Sequence, residues 1–366
     1  MVKILNLAPS NLCNISTNLS HGINDFSANT CRSVTLAPPP FGFDFDLLLK
    51  DNEKLVMHLI HECDLLHLNS WYFVSRKLVS RVLKATPPFI IGRLAKFDDK
   101  LLWYYYQNYI NSHMIGRKKV VLHYHGGDLR RLMGQADKGF INKRGFKVLV
   151  SVPDLISHLK NAHWLPISVP TDDELYKPSL KRDDSVIKIV HSPTERAAKK
   201  TAVLVKAVDT LKRKYDVELV LIENMPYRDC LTLKKEAHIA FDNIEFGSYA
   251  GCSIEAMCHE QPTLVYLNDV SQQQINRVSE EIGIEPPFVN VGDKKQPNIE
   301  YLNRVIEGKA RNVITKEDYR SVYDSLERLI VDSNLRKELG KRGRKWALRV
   351  HDIEVVVKKL IDIYES

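Results

Sequence analysis

The stretch from Ala237 to Leu267 reads AHIAFDNIEFGSYAGCSIEAMCHEQPTLVYL and carries the clearest structural pattern in the chain. It opens with a short apolar run, up to Phe241, which predicts a buried strand. A loop of small residues with two glycines follows. A helical segment from Cys252 to His259 and a second apolar run from Pro262 come next. Strand, glycine loop, helix and strand in this order predict half of a parallel α/β sheet.

The loop and the helix start of such a unit are where a ligand is expected. Parallel α/β sheets bind ligands at the carboxyl ends of their strands, and the free N–H groups of a helix start favour an anion, most often a phosphate. Glu255 lies one turn into the helix, where its carboxylate could accept hydrogen bonds from two adjacent hydroxyls. A ribose beside a diphosphate fits both features. The alternative is a Glu that only complements the helix dipole.

The run SIEAMCHEQPTLVYL resembles the EAMA-x-G-x-PV segment of retaining glycosyltransferases of the GT-B type, family GT4 (glycosyltransferase group 1). Those enzymes usually have a second Glu eight positions earlier, where this chain has Gly247. A subset with the pattern DQL…GWYG…EAMA also lacks that Glu, and Asp242, Tyr249 and Glu255 align with it without a gap. The resemblance therefore assigns no residue to the sugar contact of the first Glu, and Glu245 stands two positions away.

Length and composition predict an ordinary two-domain protein. A chain of 366 residues is long enough for two cores, and 44% apolar with 27% charged residues is typical of soluble proteins. No apolar run approaches the roughly 20 residues of a membrane span, and no signal peptide precedes Lys3. The six cysteines include no CxxC pair, which argues against a zinc site or disulfides and for a cytoplasmic setting.

The positive charge is concentrated in the first half. Residues 1–165 contain 21 Lys and Arg against 12 Asp and Glu, whereas residues 166–366 contain 32 against 33. Within the first half, residues 72–147 contain 16 basic and 4 acidic side chains. A basic half implies an anionic partner such as a membrane surface, a phosphorylated acceptor or nucleic acid.

Residues 72–119 have two possible structures. Arg76, Lys77, Arg81 and Lys84 surround an apolar face, and the run LLWYYYQNYI from Leu101 contains five aromatic residues. Such a segment suits a helix lying on an anionic bilayer, at the cytoplasmic face of a membrane. The alternative is a domain helix with its apolar stripe in the core and its lysines in water.

A second motif, HSPTERAAKKT from His191, lies between a predicted strand and a predicted helix. Arg196 and Lys199 are three positions apart, so both can reach one diphosphate. The motif is similar to HSPT-x-R-x-x-KG of the family, with Lys200 in place of Gly. The resemblance implies that the two cations stabilise the leaving nucleotide without a metal. The alternative is a pair of exposed cations at a helix start.

His125 ends a predicted strand just before two glycines, in the run HYHGGD, and side chains at such positions can project into a cleft. In the family, the matching His of HG-x-D faces the transferred sugar and the acceptor, so the resemblance makes His125 a catalytic candidate. The alternative is a His that is hydrogen-bonded within a turn. Asp128 is expected to cap the next helix. No histidine shows metal-ligand spacing.

The resemblance covers most of the chain, from Asp64 to Tyr364. It implies a GT-B fold, an α/β architecture in which two Rossmann-like domains face each other across a cleft. The expected parts are an acceptor domain at 1–168, a linker at 181–184, a nucleotide-sugar domain at 185–345 and a helix at 346–366 that packs back on the first domain.

The expected activity is transfer of a hexose-like sugar, with retention, from a UDP- or GDP-sugar to an acceptor such as a lipid-linked or cell-surface glycan precursor. The resemblance implies no cofactor and no metal, because Arg196 and Lys199 would stabilise the negative charge on the leaving nucleotide. It also implies that the donor phosphate serves as the base, which explains the lack of an obvious pair of catalytic carboxylates. The expected donor site contains Glu255 on the ribose, Arg196 and Lys199 on the diphosphate, and the loop residues Tyr249, Ala250, Gly251, Cys252 and Ser253.

Two alternatives come from other classes of protein. A non-catalytic nucleotide-sugar or carbohydrate-binding relative would explain Gly247. A nucleic-acid-binding protein would explain the basic half, but no RNP, zinc-finger or helix-turn-helix pattern is present, so no nucleic-acid partner is expected.

Overall fold

The chain folds into two compact α/β units. The computed structural model describes residues 1–36, 38–71, 99–132, 135–179, 185–292 and 314–366. The first unit contains Met1–Ser151, Leu155–Ser168 and Ile353–Ser366, and the second contains Val152–Asp154 and Val169–Asp352. The predicted linker, residues 181–184, lies outside the described residues.

The first unit is built on a seven-stranded sheet with the order β3-β2-β1-β4-β5-β6-β7. All its strand pairs are parallel. The order reverses between β1 and β4, as in doubly wound sheets. Its strands are β1 (Lys3–Ala8), β2 (Thr30–Thr35), β3 (Leu47–Leu48), β4 (Leu65–Asn69), β5 (Lys119–Tyr124), β6 (Lys147–Val150) and β7 (Ala162–Trp164). Its helices up to residue 151 are α1 (Ile15–Phe26), α2 (Glu53–Glu62), α3 (Asp99–His113) and α4 (Gln135–Arg144).

The second unit contains a smaller parallel sheet of five strands with the order β12-β11-β10-β8-β9. Here the order reverses between β8 and β10. Its strands are β8 (Ile187–His191), β9 (Val217–Leu221), β10 (Ile239–Phe241), β11 (Thr263–Val265) and β12 (Phe288–Asn290). Its helices are α5 (Arg196–Lys199), α6 (Thr201–Leu211), α7 (Tyr227–Lys235), α8 (Gly251–Cys258), α9 (Asp269–Ile282), α10 (Lys316–Val331) and α11 (Ser333–Trp346).

Short helical turns connect these elements. The 3₁₀ turns are Leu12–Asn14, Pro40–Gly42, Leu49–Asp51, Pro153–Ser157 and Glu174–Tyr176, and the π-helical turns are Asp128–Leu132 and Ala347–His351.

The last helix, α12 (Ile353–Glu365), belongs to the first unit although it follows the second in sequence. It packs against α1, where Gly22 makes the close approach possible. A Cβ atom at Gly22 would lie 2.7 Å from side-chain carbons of both Ile353 and Val357. The helix buries Val356, Val357, Leu360, Ile363 and Tyr364 on one face.

The alternation of apolar runs and loops predicted most elements of both sheets. The strand and the helix predicted on either side of the HSPTERAAKKT motif are β8 (Ile187–His191) and α6 (Thr201–Leu211). The opening stretch forms β10, a loop, α8 and β11, as predicted. The predicted α/β fold class is confirmed, with two parallel sheets.

Helix α3 carries the aromatic cluster, and its described side chains pack inside the first unit. Trp103 and Tyr106 are buried, and the Trp103 ring lies 5.3 Å from that of Trp71. The Tyr109 hydroxyl is hydrogen-bonded to His61 at 2.8 Å. For Trp103 and Tyr106 the core alternative is therefore correct. The binding of residues 72–119 to a membrane stays a prediction.

The basic residues Arg76, Lys77, Arg81 and Lys84 lie outside the described residues. In the part of the chain that the structure describes, no helix is both long enough and apolar enough to cross a membrane.

Candidate functional site

The candidate site of the second unit lies where the strand order of its sheet reverses. The loop after β8 leads to Arg196 and Lys199, and the loop after β10 leads to the start of α8. Strands β8 and β10 are neighbours in the sheet, so both loops leave the same edge at adjacent positions. This is the place where doubly wound sheets bind ligands. The 3.7 Å contact between Ser192 Oγ and Cys252 Sγ joins the two loops.

Asp242 connects the two loops electrostatically. It follows β10 directly, is 1% exposed, and forms an ion pair with the Lys199 ammonium group. Its other oxygen accepts hydrogen bonds from Ser253 Oγ at 2.6 Å and from the Ala250 N–H at 3.1 Å. Burial raises the pKa of Asp242, but the Lys199 charge and these hydrogen bonds more than offset it and lower the pKa to about 2. Asp242 therefore holds Lys199 as a fixed charge beside the start of α8.

The first turn of α8 has unused hydrogen-bond donors. Ala250 donates to Asp242, whereas the N–H groups of Gly251 and Cys252 have no acceptor among the described residues. Together with Lys199, these groups form an arrangement that attracts an anion.

Arg196 is in a different state from Lys199. Its guanidinium is exposed and paired with Glu223, with Nε donating to Oε1 at 2.7 Å. Glu223 raises the pKa of Arg196 through the hydrogen bond and its charge. Water screens an exposed pair, so this one contributes little to stability. Arg196 can therefore exchange Glu223 for a ligand without a large cost, whereas the buried Lys199 cannot leave Asp242 as easily.

Glu255 is 4% exposed and already has two partners on α7. Tyr227 donates to Oε1 at 2.8 Å, and the Lys234 ammonium group forms an ion pair with Oε2. Burial lowers the pKa of Lys234, but the Glu255 charge outweighs it and leaves this pKa well above its usual value. Two of the roughly four lone-pair positions of the carboxylate are therefore occupied.

The predicted loop residue Tyr249 points its side chain into the core. The residue is 2% exposed, its ring lies 4.6 Å from that of Phe288, and its hydroxyl is 3.0 Å from His351 Nε2. Only its backbone remains available for a ligand. Ala250, Gly251, Cys252 and Ser253, by contrast, form the start of α8.

His125 follows β5 in the first unit and is partly exposed. Its Nδ1 lies 2.7 Å from Ser151 Oγ and its Nε2 lies 2.9 Å from Asn69 Oδ1. The Asp128 carboxylate accepts the His125 N–H at 2.9 Å and the Gly126 N–H at 2.7 Å. Burial lowers the pKa of His125, and Asp128 opposes that effect. Asp128 thus shapes the turn that carries His125.

Comparison with known proteins identifies the fold. Anabaena HepE in complex with UDP and glucose has a TM-score of 0.59 at 12% identity, with 100% of each chain covered. Sucrose-phosphate synthase from Thermosynechococcus elongatus has a TM-score of 0.57 at 12% identity, with 100% of this chain and 98% of that chain covered. An alpha-glucosyltransferase in complex with UDP and a 13-mer DNA has a TM-score of 0.56 at 10% identity, with 100% of each chain covered. The chain has the GT-B fold. No family model and no curated protein matches the sequence.

Within this GT-B fold, the position of the missing Glu is occupied by a neighbouring side chain. Gly247 has φ +78°, and a Cβ atom there would lie 2.8 Å from Asn268 Nδ2. Glu245 does not replace the absent carboxylate, because it is 0% exposed and its Oε2 lies 3.8 Å from Lys200 Nζ.

Lys200 stands where the similar HSPT-x-R-x-x-KG motif has Gly. Its backbone is left-handed, with φ 59° and ψ 38°, which suits Gly and strains most other residues. Its side chain is buried, and Nζ lies 3.8 Å from Asp318 as well as from Glu245. Lys200 thus combines a left-handed backbone with a buried side chain between two carboxylates.

Four residues of this site were not predicted as site residues, namely Asp242, Glu223, Tyr227 and Lys234. Asp242 could have been found, because it is a polar residue directly after a buried strand at the ligand-binding edge. Lys234 gives no such signal, since it precedes Glu255 by 21 positions and meets it only through tertiary packing. Among the described residues, no group of three or more His, Cys, Asp or Glu side chains is arranged to hold a metal ion.

Proposed function

We propose that this protein is a retaining glycosyltransferase that transfers a sugar from a UDP-sugar, or from the corresponding GDP-sugar, to an acceptor hydroxyl. The observation that carries the proposal is the buried Asp242–Lys199 pair beside the free N–H groups of Gly251 and Cys252. This arrangement suits a diphosphate. The proposal is also supported by the similar folds crystallised with UDP or UDP-glucose.

The diphosphate is held by one fixed and one mobile cation. Lys199 stays with Asp242 and directs its remaining N–H groups to the phosphate oxygens. Arg196 leaves the exposed Glu223 and binds the same diphosphate with its planar fork of donors. Both charges, with the helix N–H groups, stabilise the negative charge that grows on the leaving nucleotide.

Glu255 binds the ribose. Its two unused lone-pair positions accept the two ribose hydroxyls, while Lys234 and Tyr227 hold the carboxylate in its orientation. His125 in the first unit serves the transferred sugar or the acceptor. The acceptor hydroxyl attacks the anomeric carbon from the same face that the phosphate leaves, so the anomeric configuration is retained. A donor phosphate oxygen accepts the proton of this hydroxyl.

Release of UDP from UDP-glucose tests the activity and its metal independence together. We expect slow release by the wild-type protein in EDTA and an increase of less than about twofold on adding magnesium, because Lys199 and Arg196 supply the positive charge. Activity that EDTA abolishes and magnesium restores would contradict the metal-free mechanism. A protein that binds UDP-sugars but releases no nucleotide would be the non-catalytic relative.

We further propose that the basic segment within residues 72–119 binds the enzyme to an anionic membrane that presents a lipid-linked acceptor. The concentration of positive charge in the first half favours this, and each basic residue near such a surface contributes about 1 kcal/mol. Charge reversal at Arg76, Lys77, Arg81 and Lys84 should release the protein from anionic liposomes. If the wild-type protein does not sediment with these liposomes at low salt, the acceptor is instead a soluble anion.

A further inference from the structure

His125 is one end of a chain of hydrogen bonds through the core of the first unit. His125 Nδ1 meets Ser151 Oγ at 2.7 Å, and Ser151 Oγ meets His123 Nε2 at 2.9 Å. His123 Nδ1 meets His67 Nε2 at 3.1 Å, and His67 Nδ1 meets the Tyr364 hydroxyl at 2.5 Å. Four of these five residues are at most 6% exposed, and only His125 is partly open to solvent.

The direction of every bond in this chain follows from two backbone carbonyls. Asn69 Nδ2 donates to Leu7 O at 3.0 Å and to Asn6 Oδ1 at 2.5 Å. Asn6 in turn donates from Nδ2 to Ser16 O at 3.1 Å. A carbonyl can only accept, so neither amide can be turned around. Asn69 therefore presents Oδ1 to His125, and His125 must carry its proton on Nε2.

The remaining protons are then assigned one after another. A neutral His125 with Nε2–H accepts at Nδ1, so Ser151 donates its single hydroxyl proton there. Ser151 must then accept from His123 Nε2–H, and His123 Nδ1 must accept from His67 Nε2–H. His67 Nδ1 accepts from Tyr364. All three histidines carry their proton on Nε2, and each donor in the chain has one acceptor.

The charges around these rings agree with the neutral form. Burial lowers the pKa of His67 to about 3 and that of His123 well below its usual value. Burial also lowers the pKa of His125, against the opposing charge of Asp128. At the other end, burial holds the pKa of Tyr364 well above its usual value, so its hydroxyl keeps its proton. The buried Cys31 thiol also faces Tyr364 and raises its pKa in the same direction.

We propose that this chain positions His125: it presents the ring as a neutral donor through Nε2–H and preserves that tautomer when a substrate oxygen takes the place of Asn69. The proposal rests on the function proposed above. Once Asn69 no longer accepts from Nε2, only Ser151 fixes the tautomer, because it continues to donate to Nδ1. Ser151 can turn around only if His123, His67 and Tyr364 all reverse with it. Ser151, His123, His67 and Tyr364 are thus positioning residues, and the chain is not a proton wire, since reversal would leave the Tyr364 proton without an acceptor.

Nitrogen NMR of protein labelled with ¹⁵N in its histidines tests the assignment without any substrate. In the wild-type protein we expect His67, His123 and His125 all in the Nε2–H form. In Asn69→Leu, Ser151 still donates to Nδ1, so we expect His125, His123 and His67 to stay in the Nε2–H form. Adding Ser151→Ala to Asn69→Leu removes that donor, so we expect His125 to become a mixture of the two tautomers. A wild-type His125 in the Nδ1–H form would overturn the proposal. A shift of His125 to the Nδ1–H form in Asn69→Leu alone would also overturn the proposal.

Turnover tests the consequence. We expect Ser151→Ala to lower kcat roughly tenfold and leave KM for the donor unchanged. Ser33→Ala is the matched control, because Ser33 is also buried in the first unit and its Oγ has no hydrogen-bond partner. Equal kcat values for Ser151→Ala and Ser33→Ala would overturn the positioning role. A wild-type protein that releases no UDP would count against the proposed function alone, because the NMR result does not depend on it.

Discussion

At the scale of single residues, Asp242 determines the electrostatics of the donor site. It holds Lys199 in place through an ion pair, and it accepts hydrogen bonds from the Ala250 N–H at the start of α8 and from Ser253 Oγ. Removing one partner of a buried ion pair typically costs about 3–5 kcal/mol, because the other charge is left uncompensated. The same reasoning applies to Glu255, whose removal would leave Lys234 buried and unpaired. A loss of donor binding in Glu255→Ala therefore has to be separated from a loss of stability.

The low pKa of Asp242 predicts how stability depends on pH. The pKa falls from 3.8 to about 2 on folding, so the ionised carboxylate stabilises the fold by about 2 kcal/mol above pH 4. This contribution is lost as the pH falls through about 2. In urea unfolding, the difference between wild type and Asp242→Asn should be largest and constant above pH 4 and should shrink below it. Asp209→Asn, at an exposed position on α6, should show no such change. A difference that does not vary between pH 4 and 2 would contradict the assignment.

The surroundings of Gly247 predict what happens when this residue is replaced by the Glu that the resembled enzymes usually have. Gly247→Glu combines the strain of a left-handed residue, about 1–2 kcal/mol, with a contact of 2.8 Å to the Asn268 side chain. Asn268 caps α9 through Ser271 N–H, so moving it costs a further ~1 kcal/mol. Gly283→Glu is the control, with φ +67° but nothing within 4 Å of its Cβ. Calorimetry should show a larger decrease in Tm for Gly247→Glu than for Gly283→Glu. Equal decreases would mean that the Asn268 side chain moves aside without a measurable cost.

The sequence predicts single site residues only where the chemistry is local. Arg196, Lys199 and Glu255 stand at motif positions, and the loops that carry them leave adjacent strands of one sheet. The partners of Arg196 and Glu255 could not be predicted. Lys234 and Glu223 meet Glu255 and Arg196 through packing of elements that are distant in sequence. Tyr249 belongs to a loop of small residues, but its hydroxyl is hydrogen-bonded to His351, 102 positions later in the sequence. A contact over this distance gives no local signal.

At the scale of elements, the packing of α8 against α11 requires a glycine. A Cβ atom at Gly340 would lie 2.1 Å from the Glu260 carbonyl oxygen, which follows α8. Backbone cannot move aside as a side chain can, so the two elements would have to separate. This close approach keeps α8, and with it the start of the helix that faces the ligand, in position.

Gly340→Ala should therefore destabilise the protein by about 1–3 kcal/mol. Gly139→Ala on α4 is the control, because nothing lies within 4 Å of its Cβ and Ala favours a helix by up to about 1 kcal/mol. Chemical denaturation should give opposite signs for the two variants. If Gly340→Ala is as stable as the wild type, α8 and α11 do not pack as closely as described.

Long segments with a strong periodic pattern were predicted correctly as helices or strands. Very short elements were not predicted, because they contain too few residues to show a pattern. Helix α6 has a clear apolar face, and a helix was predicted directly after the HSPTERAAKKT motif. Strand β3 contains only Leu47 and Leu48, too few for any pattern to appear. The aromatic run in α3 left two structures open, since Trp103 and Tyr106 suit a core as well as a bilayer. Only their contacts with Trp71 and Glu53 decide between them.

At the scale of the whole molecule, the chain forms its first unit from both ends. The final helix supplies Tyr364 to the hydrogen-bonded chain that ends at His125. Folding of the first unit therefore needs the last residues of the sequence. The order of strand, glycine loop, helix and strand predicted a parallel α/β sheet, and the resemblance to GT-B glycosyltransferases implied two Rossmann-like domains. The acceptor could not be predicted, because the residues expected to recognise it follow no local pattern.

The central claim is that the start of α8, with Lys199 and Arg196, binds a nucleoside diphosphate. Titration calorimetry of UDP and GDP in EDTA tests it with Arg196→Gln, which should fold normally because Arg196 is exposed. Arg213→Gln, at an exposed position in the same unit, is the control. The wild type and Arg213→Gln should bind one nucleotide equally. Arg196→Gln should bind it roughly tenfold or more weakly, since a hydrogen bond to a charged group contributes about 1.5–3 kcal/mol. Wild-type affinity in Arg196→Gln, or no binding of either nucleotide by the wild type, would contradict the claim.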